Sequence, residues 1–112
     1  MLVRAESAIA NSLSLLQGKK SPQIIAAVLN AKGNLELGLG KSAKAVETWQ
    51  ETAGYYRQAG DMQGVIGTQI NQAQALQALG MYRSAMQKTL KAAITFLENQ
   101  PPSGVKLMGL LR

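Results

Sequence analysis

The chain of 112 residues contains no cysteine and no histidine. Without cysteine there is no disulfide, and no thiolate is available as a nucleophile or a metal ligand. Without histidine, the commonest general base and the commonest metal ligand are both missing. The acidic residues number six and are spread along the chain, so paired-carboxylate chemistry is not expected. We therefore predict that the protein is not an enzyme and has no metal or cofactor site.

Because acidic residues are scarce, the formal net charge is +6. No acidic residue lies between Met62 and Leu97, and positive charge in this stretch comes from Arg83, Lys88 and Lys91 alone. A nucleic-acid-binding stripe would be denser, and aromatic residues, at 4%, are too few for a base-stacking platform. The charge therefore predicts a solvated basic surface. Nucleic-acid binding stays open as a less favoured alternative.

Long apolar runs are also missing. No segment reaches the length of about 20 apolar residues that spans a bilayer. The apolar tract at the N-terminus is interrupted by Glu6, Asn11 and Ser12, whereas a secretory signal needs an unbroken apolar centre. We therefore interpret this tract as a helix and expect no membrane partner. These features leave the compartment open, with the cytoplasm favoured.

The abundant residues favour helix, because Ala, Leu, Gln, Lys and Met dominate the chain. Apolar residues recur at the i, i+3, i+4, i+7 spacing of one helix face, and Tyr82 is predicted to begin the buried face of the fifth helix. Gly40, Gly60 and Gly80 are placed to end helices, and Pro22 suits a first helical position. Together these signals predict an all-α protein. The predicted helices cover residues 3–17, 22–39, 42–58, 62–79, 82–98 and 103–111.

The chain repeats itself at a distance of 40 residues. The segment "LGKSAKA" at 39–45 matches "LGMYRSA" at 79–85, with the Leu-Gly corner and the final alanine at the same offsets. Helix-pair units of fixed length indicate a solenoid. We therefore predict one domain over residues 1–112, an α-α superhelix of antiparallel helix pairs. Its parts are the second half of a repeat (1–20), two full repeats (21–60 and 61–100) and the start of a further repeat (101–112).

The ends of this predicted solenoid carry no distinct polar capping helix. An open solenoid end exposes an apolar face, so such arrays need caps. We therefore expect either a fragment of a longer array or self-association of copies through the uncapped ends.

These helix pairs resemble the tetratricopeptide repeat (TPR) family, whose helix A carries apolar and small residues before a glycine corner and whose helix B carries alanines and aromatics. The matching positions are Leu29, Gly33, Gly40, Ala45 and Trp49 in the first full repeat and Ala73, Leu76, Gly80, Tyr82, Ala85 and Ala92 in the second. Small residues are expected at Gly33 and Ala73 because helices A and B cross closely there, and Trp49 is expected in the core.

Some features depart from the family pattern. Lys32 and Gln72 stand where the family usually has apolar residues, Thr89 stands at the place of Trp49, and the period of 40 exceeds the common 34. Repeats of this length look like those of bacterial, especially cyanobacterial, proteins that join them to a caspase-like CHAT protease domain. If that is the parent, its catalytic domain is not in this chain.

The resemblance implies a protein–protein interaction scaffold that binds a peptide segment or a partner protein on the concave face formed by its A helices. The positions carried over are Asn30, Asn34, Leu37, Ile70, Asn71, Gln74 and Gln77, with Ala27 and Gly67 beside them. Asn and Gln can hydrogen-bond a peptide backbone without selecting a charge, although the same residues also suit a solvated helix face. A spacer inside a CHAT-type multidomain protein is the alternative.

Overall fold

In the computed structural model, which describes residues 2–17 and 21–100, the chain forms five α-helices and no strand within those ranges. The helices are α1 (Leu2–Gln17), α2 (Pro22–Gly38), α3 (Ser42–Gln58), α4 (Met62–Ala78) and α5 (Tyr82–Glu98). The predicted all-α class is confirmed, and the bounds of these five helices agree with the prediction to within one residue. The predicted sixth helix, 103–111, lies outside the described residues.

The helices α2 to α5 are each 17 residues long and begin at residues 22, 42, 62 and 82. Each of the three turns between them contains a glycine with φ between 73° and 79°, namely Gly40, Gly60 and Gly80. At the first turn the N–H of Lys41 donates to the carbonyl of Glu36 at 2.8 Å, the long bond of a Schellman motif. The carbonyl of Lys41 then accepts from Ala45 in the next helix. One short turn thus ends one helix and begins the next.

Replacing Gly80 with alanine is expected to destabilise the fold by about 1 kcal/mol, because an L side chain is disfavoured at positive φ. The matched control is Gly38→Ala. Gly38 is helical, and a Cβ there would meet nothing within 4 Å, so this change is expected to be neutral or slightly stabilising. Urea unfolding of both variants measures the difference. Equal stability losses would contradict the assigned turn.

Each helix packs mainly against its neighbours in the sequence: α1 on α2, α2 on α3, α3 on α4 and α4 on α5. The Cα radius of gyration is 15.8 Å, larger than the value of about 13 Å for a compact globule of similar length. The principal extents of 50 × 36 × 18 Å describe an elongated slab. The core is therefore distributed along the chain in small clusters.

Two small clusters join successive helices, the first α3 to α4 and the second α4 to α5. The first contains Ala45, Trp49 and Ala75, and the second contains Ala73, Leu76 and Ala85. Val46 packs against both clusters. Trp49 is only 1% exposed, so its predicted place in the core is confirmed.

The apolar face of α5 differs from the prediction. Tyr82, predicted to begin the buried face, is 69% exposed. The residues of α5 that are buried are the small Ala85 and Ala92. The large apolar side chains that stay exposed are Met86, Leu90, Ile94, Phe96 and Leu97. The prediction was wrong because α4 packs against the small residues of α5. The large apolar side chains of α5 lie outside this contact.

Asp61 connects the beginnings of α2 and α4. Its Oδ1 accepts from the backbone N–H of Gly64 at 2.9 Å, which caps α4, and its Oδ2 accepts from Nε2 of Gln23 at 2.9 Å. The bond from Gln23, followed by the backbone bond from Gly64, lowers the pKa of Asp61 below its usual value. The carboxylate is therefore held in its charged form, which suits the N-terminal end of a helix.

Candidate functional site

The seven predicted partner-binding residues lie on two even-numbered helices, and we call them the even-helix face. Asn30, Asn34 and Leu37 belong to α2, and Ile70, Asn71, Gln74 and Gln77 belong to α4. Asn34, Gln74 and Gln77 are exposed, and Ile70 is 45% exposed. Both helices pack on α3. The exposed amides are accessible to a partner.

Three members of the even-helix face are half-buried. Leu37 packs against the cluster of Ala45 and Trp49, so it also supports the core. The side-chain oxygen of Asn30 is buried and has no hydrogen-bond partner among the described residues. Asn71 is half-buried on α4. The fully accessible part of this face is therefore smaller than the seven predicted residues.

Two cavities lie along the odd-numbered helices α1, α3 and α5, and we call this part of the surface the odd-helix side. The first, of about 480 Å³, lies between α1 and the start of α3 and is floored by α2. The second, of about 580 Å³, lies between α3 and α5 and is floored by α4. None of the seven predicted residues lines either cavity. Sequence reasoning missed both, because it took the family's A-helix face as the binding surface.

The two cavities overlap in part under the 40-residue shift, which brings three of the ten residues lining the first onto residues lining the second. Residues lining the first correspond to residues lining the second as Glu6 to Val46, Glu36 to Leu76 and Lys44 to Ser84. The repeat in the sequence was thus the signal that could have paired these surfaces. At all three positions a charged residue in the first cavity is replaced by an uncharged one in the second.

The first cavity carries both signs of charge, and we call it the mixed-charge groove. An ion pair joins Lys41 Nζ to Glu6 Oε1 at 3.7 Å across its rim, and Lys32 and Lys44 also line it. Glu36 is only 5% exposed. Its Oε1 accepts a hydrogen bond from the hydroxyl of Thr48 at 2.5 Å. A buried carboxylate therefore forms part of this groove.

The second cavity is apolar at its base and positively charged at its edge, and we call it the basic groove. Its apolar residues are Val46, Leu76, Leu90 and Ile94. Lys88 and Lys91 line its edge. No carboxylate of the described residues lines this groove. Burial lowers the pKa of Lys88, and the nearby charges of Lys91 and Arg57 lower it further.

Gln72, which departs from the family pattern, is buried beneath this groove rather than exposed. It is 1% exposed, and its Nε2 donates to the carbonyl of Val46 at 3.0 Å and to Oε1 of Gln50 at 3.2 Å. Lys88 Nζ donates to the same Gln50 oxygen at 3.4 Å. An apolar residue is not needed at this position, because the amide donates to acceptors on α3.

Residues 2–17 and 21–100 contain no group of three or more acidic side chains arranged to hold a metal ion. Within the same ranges, none of the helices has both the length and the apolar character needed to cross a bilayer.

The fold and its surfaces define an all-α protein whose successive helices pack on one another, with two grooves lined by residues of the odd-numbered helices. No family model matches the chain, and no curated protein and no solved structure matches it significantly.

Proposed function

We propose that the protein is an interaction module, a TPR-like helical solenoid that binds a peptide segment of a partner on its even-helix face. The observation that carries the proposal is the set of exposed, uncharged amides of Asn34, Gln74 and Gln77. Such groups donate and accept hydrogen bonds with a peptide backbone whatever its charge. Ile70, one helical turn before Gln74 on α4, adds an exposed apolar side chain.

The packing of the helices supports the solenoid part of this proposal. Each helix is held mainly by its neighbours in the sequence, which is the arrangement of repeat proteins. The helices α2 to α5 are equal in length, and the turns between them each contain a glycine at positive φ, namely Gly40, Gly60 and Gly80. This regularity is typical of a repeat protein. An array of this kind presents one long side of successive helices to a partner.

A spacer in a larger protein is the second candidate function, and the CHAT-type parent is one form of it. The observation in its favour is the exposed apolar side of α5, where Tyr82 and Met86 are 69% and 68% exposed. A neighbouring helical unit would cover such a surface. In that role the even-helix face would bind nothing.

Peptides selected on the full chain by display test the interaction module. The double variant Asn34→Ala, Gln74→Ala is expected to weaken binding of a selected peptide about tenfold, because each lost hydrogen bond contributes about 0.5–1.5 kcal/mol. The control is Asn11→Ala, Gln58→Ala, which removes one exposed Asn and one exposed Gln from the odd helices. Equally strong peptide binding by both variants would contradict binding on the even-helix face and would favour the spacer function.

A further inference from the structure

The basic groove on the odd-helix side has no part in the binding proposed above. It combines a cavity of about 580 Å³ with large apolar side chains that remain accessible. Leu90 is 61% exposed and Ile94 is 46% exposed. Exposed apolar residues grouped around a cavity are typical of an interaction site.

The charge that lines this groove is positive. Lys88 and Lys91 stand one turn apart on α5, and Arg57 is close enough to act on the charge of Lys88. Among the described residues that line the groove there is no carboxylate, and the sequence has none from Met62 to Leu97. A partner with negative charge would relieve this repulsion and gain attraction.

The shape of the groove favours a helix as the occupant. Six of its eight lining residues belong to the 17-residue helix α5, while Val46 of α3 and Leu76 of α4 complete the lining. Lys88 Nζ donates to Gln50 Oε1 of α3, so α3 borders the groove opposite α5. A further helix can lie in a gap between two helices with an apolar stripe facing inward. A second copy of this chain is a poor occupant if it docks through α5, because that helix carries Arg83, Lys88 and Lys91 against one acidic residue, Glu98.

We propose that the basic groove binds an acidic amphipathic helix of a partner protein. The apolar stripe of that helix contacts Val46, Leu90 and Ile94. Carboxylates along its edge pair with Lys88 and Lys91. The mixed-charge groove does not share this preference, because Glu6 and Glu36 add negative charge there.

The test uses the full chain and two labelled synthetic peptides of 17 residues, the length of α5. Both have leucines at the spacing of one helix face, and the other positions carry glutamate in one peptide and lysine in the other. Fluorescence anisotropy at low salt is expected to detect binding of the glutamate peptide and not of the lysine peptide. Affinity is expected to fall as salt is raised.

Charge reversal locates the site. The double variant Lys88→Glu, Lys91→Glu is expected to lower the affinity for the glutamate peptide at least about tenfold. The control Lys32→Glu, Lys44→Glu changes the net charge equally at the mixed-charge groove, and in both pairs one lysine is half-buried and one exposed. It is expected to change affinity less than about threefold. Equal losses in the two variants would mean a response to net charge alone and would overturn the proposal.

The apolar contact has its own variant. Leu90→Gln is expected to lower the affinity for the glutamate peptide about tenfold. Met86→Gln, on the same helix but outside the groove, is expected to leave that affinity unchanged. Both positions are exposed, so both variants are expected to fold, which circular dichroism checks. An undiminished affinity of Leu90→Gln would overturn the proposal.

Two other results would also overturn it. One is tighter binding of a single-stranded oligonucleotide than of the glutamate peptide, lost on Lys88→Glu, Lys91→Glu, since the groove would then serve nucleic acid. The other is a homodimer in sedimentation that Leu90→Gln dissociates, since a second copy would then occupy the groove.

Discussion

Replacing Trp49 with alanine is expected to lower the free energy of unfolding by about 3–5 kcal/mol, the usual range for deleting a large buried aromatic side chain. Trp49 is 1% exposed and is the largest fully buried side chain of the described residues. It joins α3 to Ala75 of α4 and lies directly over Gly33 of α2. Its removal therefore loosens three helices together. Urea unfolding monitored by circular dichroism measures the loss.

Gly33 provides a sharper test of the same contact. An added Cβ at Gly33 would lie 2.4 Å from Trp49 Nε1 and 2.6 Å from Cε2, so Gly33→Ala is expected to cost about 1–3 kcal/mol through overpacking. In the Trp49→Ala background the same change has no ring to displace. There it is expected to be neutral or stabilising by up to about 1 kcal/mol, since alanine favours helix over glycine.

The control for this cycle is Gly67→Ala on α4, where a new Cβ would meet nothing within 4 Å. It is expected to be neutral or slightly stabilising in both backgrounds. Trp49→Phe is expected to lose less than Trp49→Ala, because phenylalanine keeps much of the buried apolar volume that alanine removes. An additive cycle between Gly33 and Trp49 would contradict the close packing.

Glu36→Leu is expected to stabilise the protein by about 1–3 kcal/mol, because a buried carboxylate that forms no ion pair with the described residues loses much of its hydration. Glu36 is 5% exposed and accepts a hydrogen bond from the hydroxyl of Thr48. The residue 40 positions later is Leu76, which is 6% exposed in the equivalent place. The repeat itself thus indicates that leucine fits this environment.

The control for Glu36→Leu is Glu47→Leu, an exposed position on α3 that is expected to change stability by less than about 0.5 kcal/mol. Thr48→Val removes the donor and is expected to destabilise the wild type by about 1–3 kcal/mol, while having little effect once Glu36 is leucine. Unfolding midpoints of the four combinations give the coupling. Destabilisation by Glu36→Leu would indicate that the carboxylate is required for the fold.

The sequence by itself determined the helices and their turns. Gly40, Gly60 and Gly80 marked the three helix ends correctly because positive φ is a local requirement that glycine meets best. The burial of Ala45 and Trp49 was also predictable from helical spacing. These features depend on residues that are close in the chain. Local helix signals and the 40-residue repeat were therefore enough to predict them.

Only the tertiary structure decided which surfaces the helices leave open. Gly33 was expected to be small because two helices cross, but the structure shows that its Cα position is covered by the Trp49 ring. Tyr82 was expected inside and lies outside, and two grooves formed on the odd-helix side where none was predicted. A helical pattern specifies which residues share a face. It does not specify how closely, or along which residues, the next helix approaches, since that depends on the fit of side chains distant in the sequence.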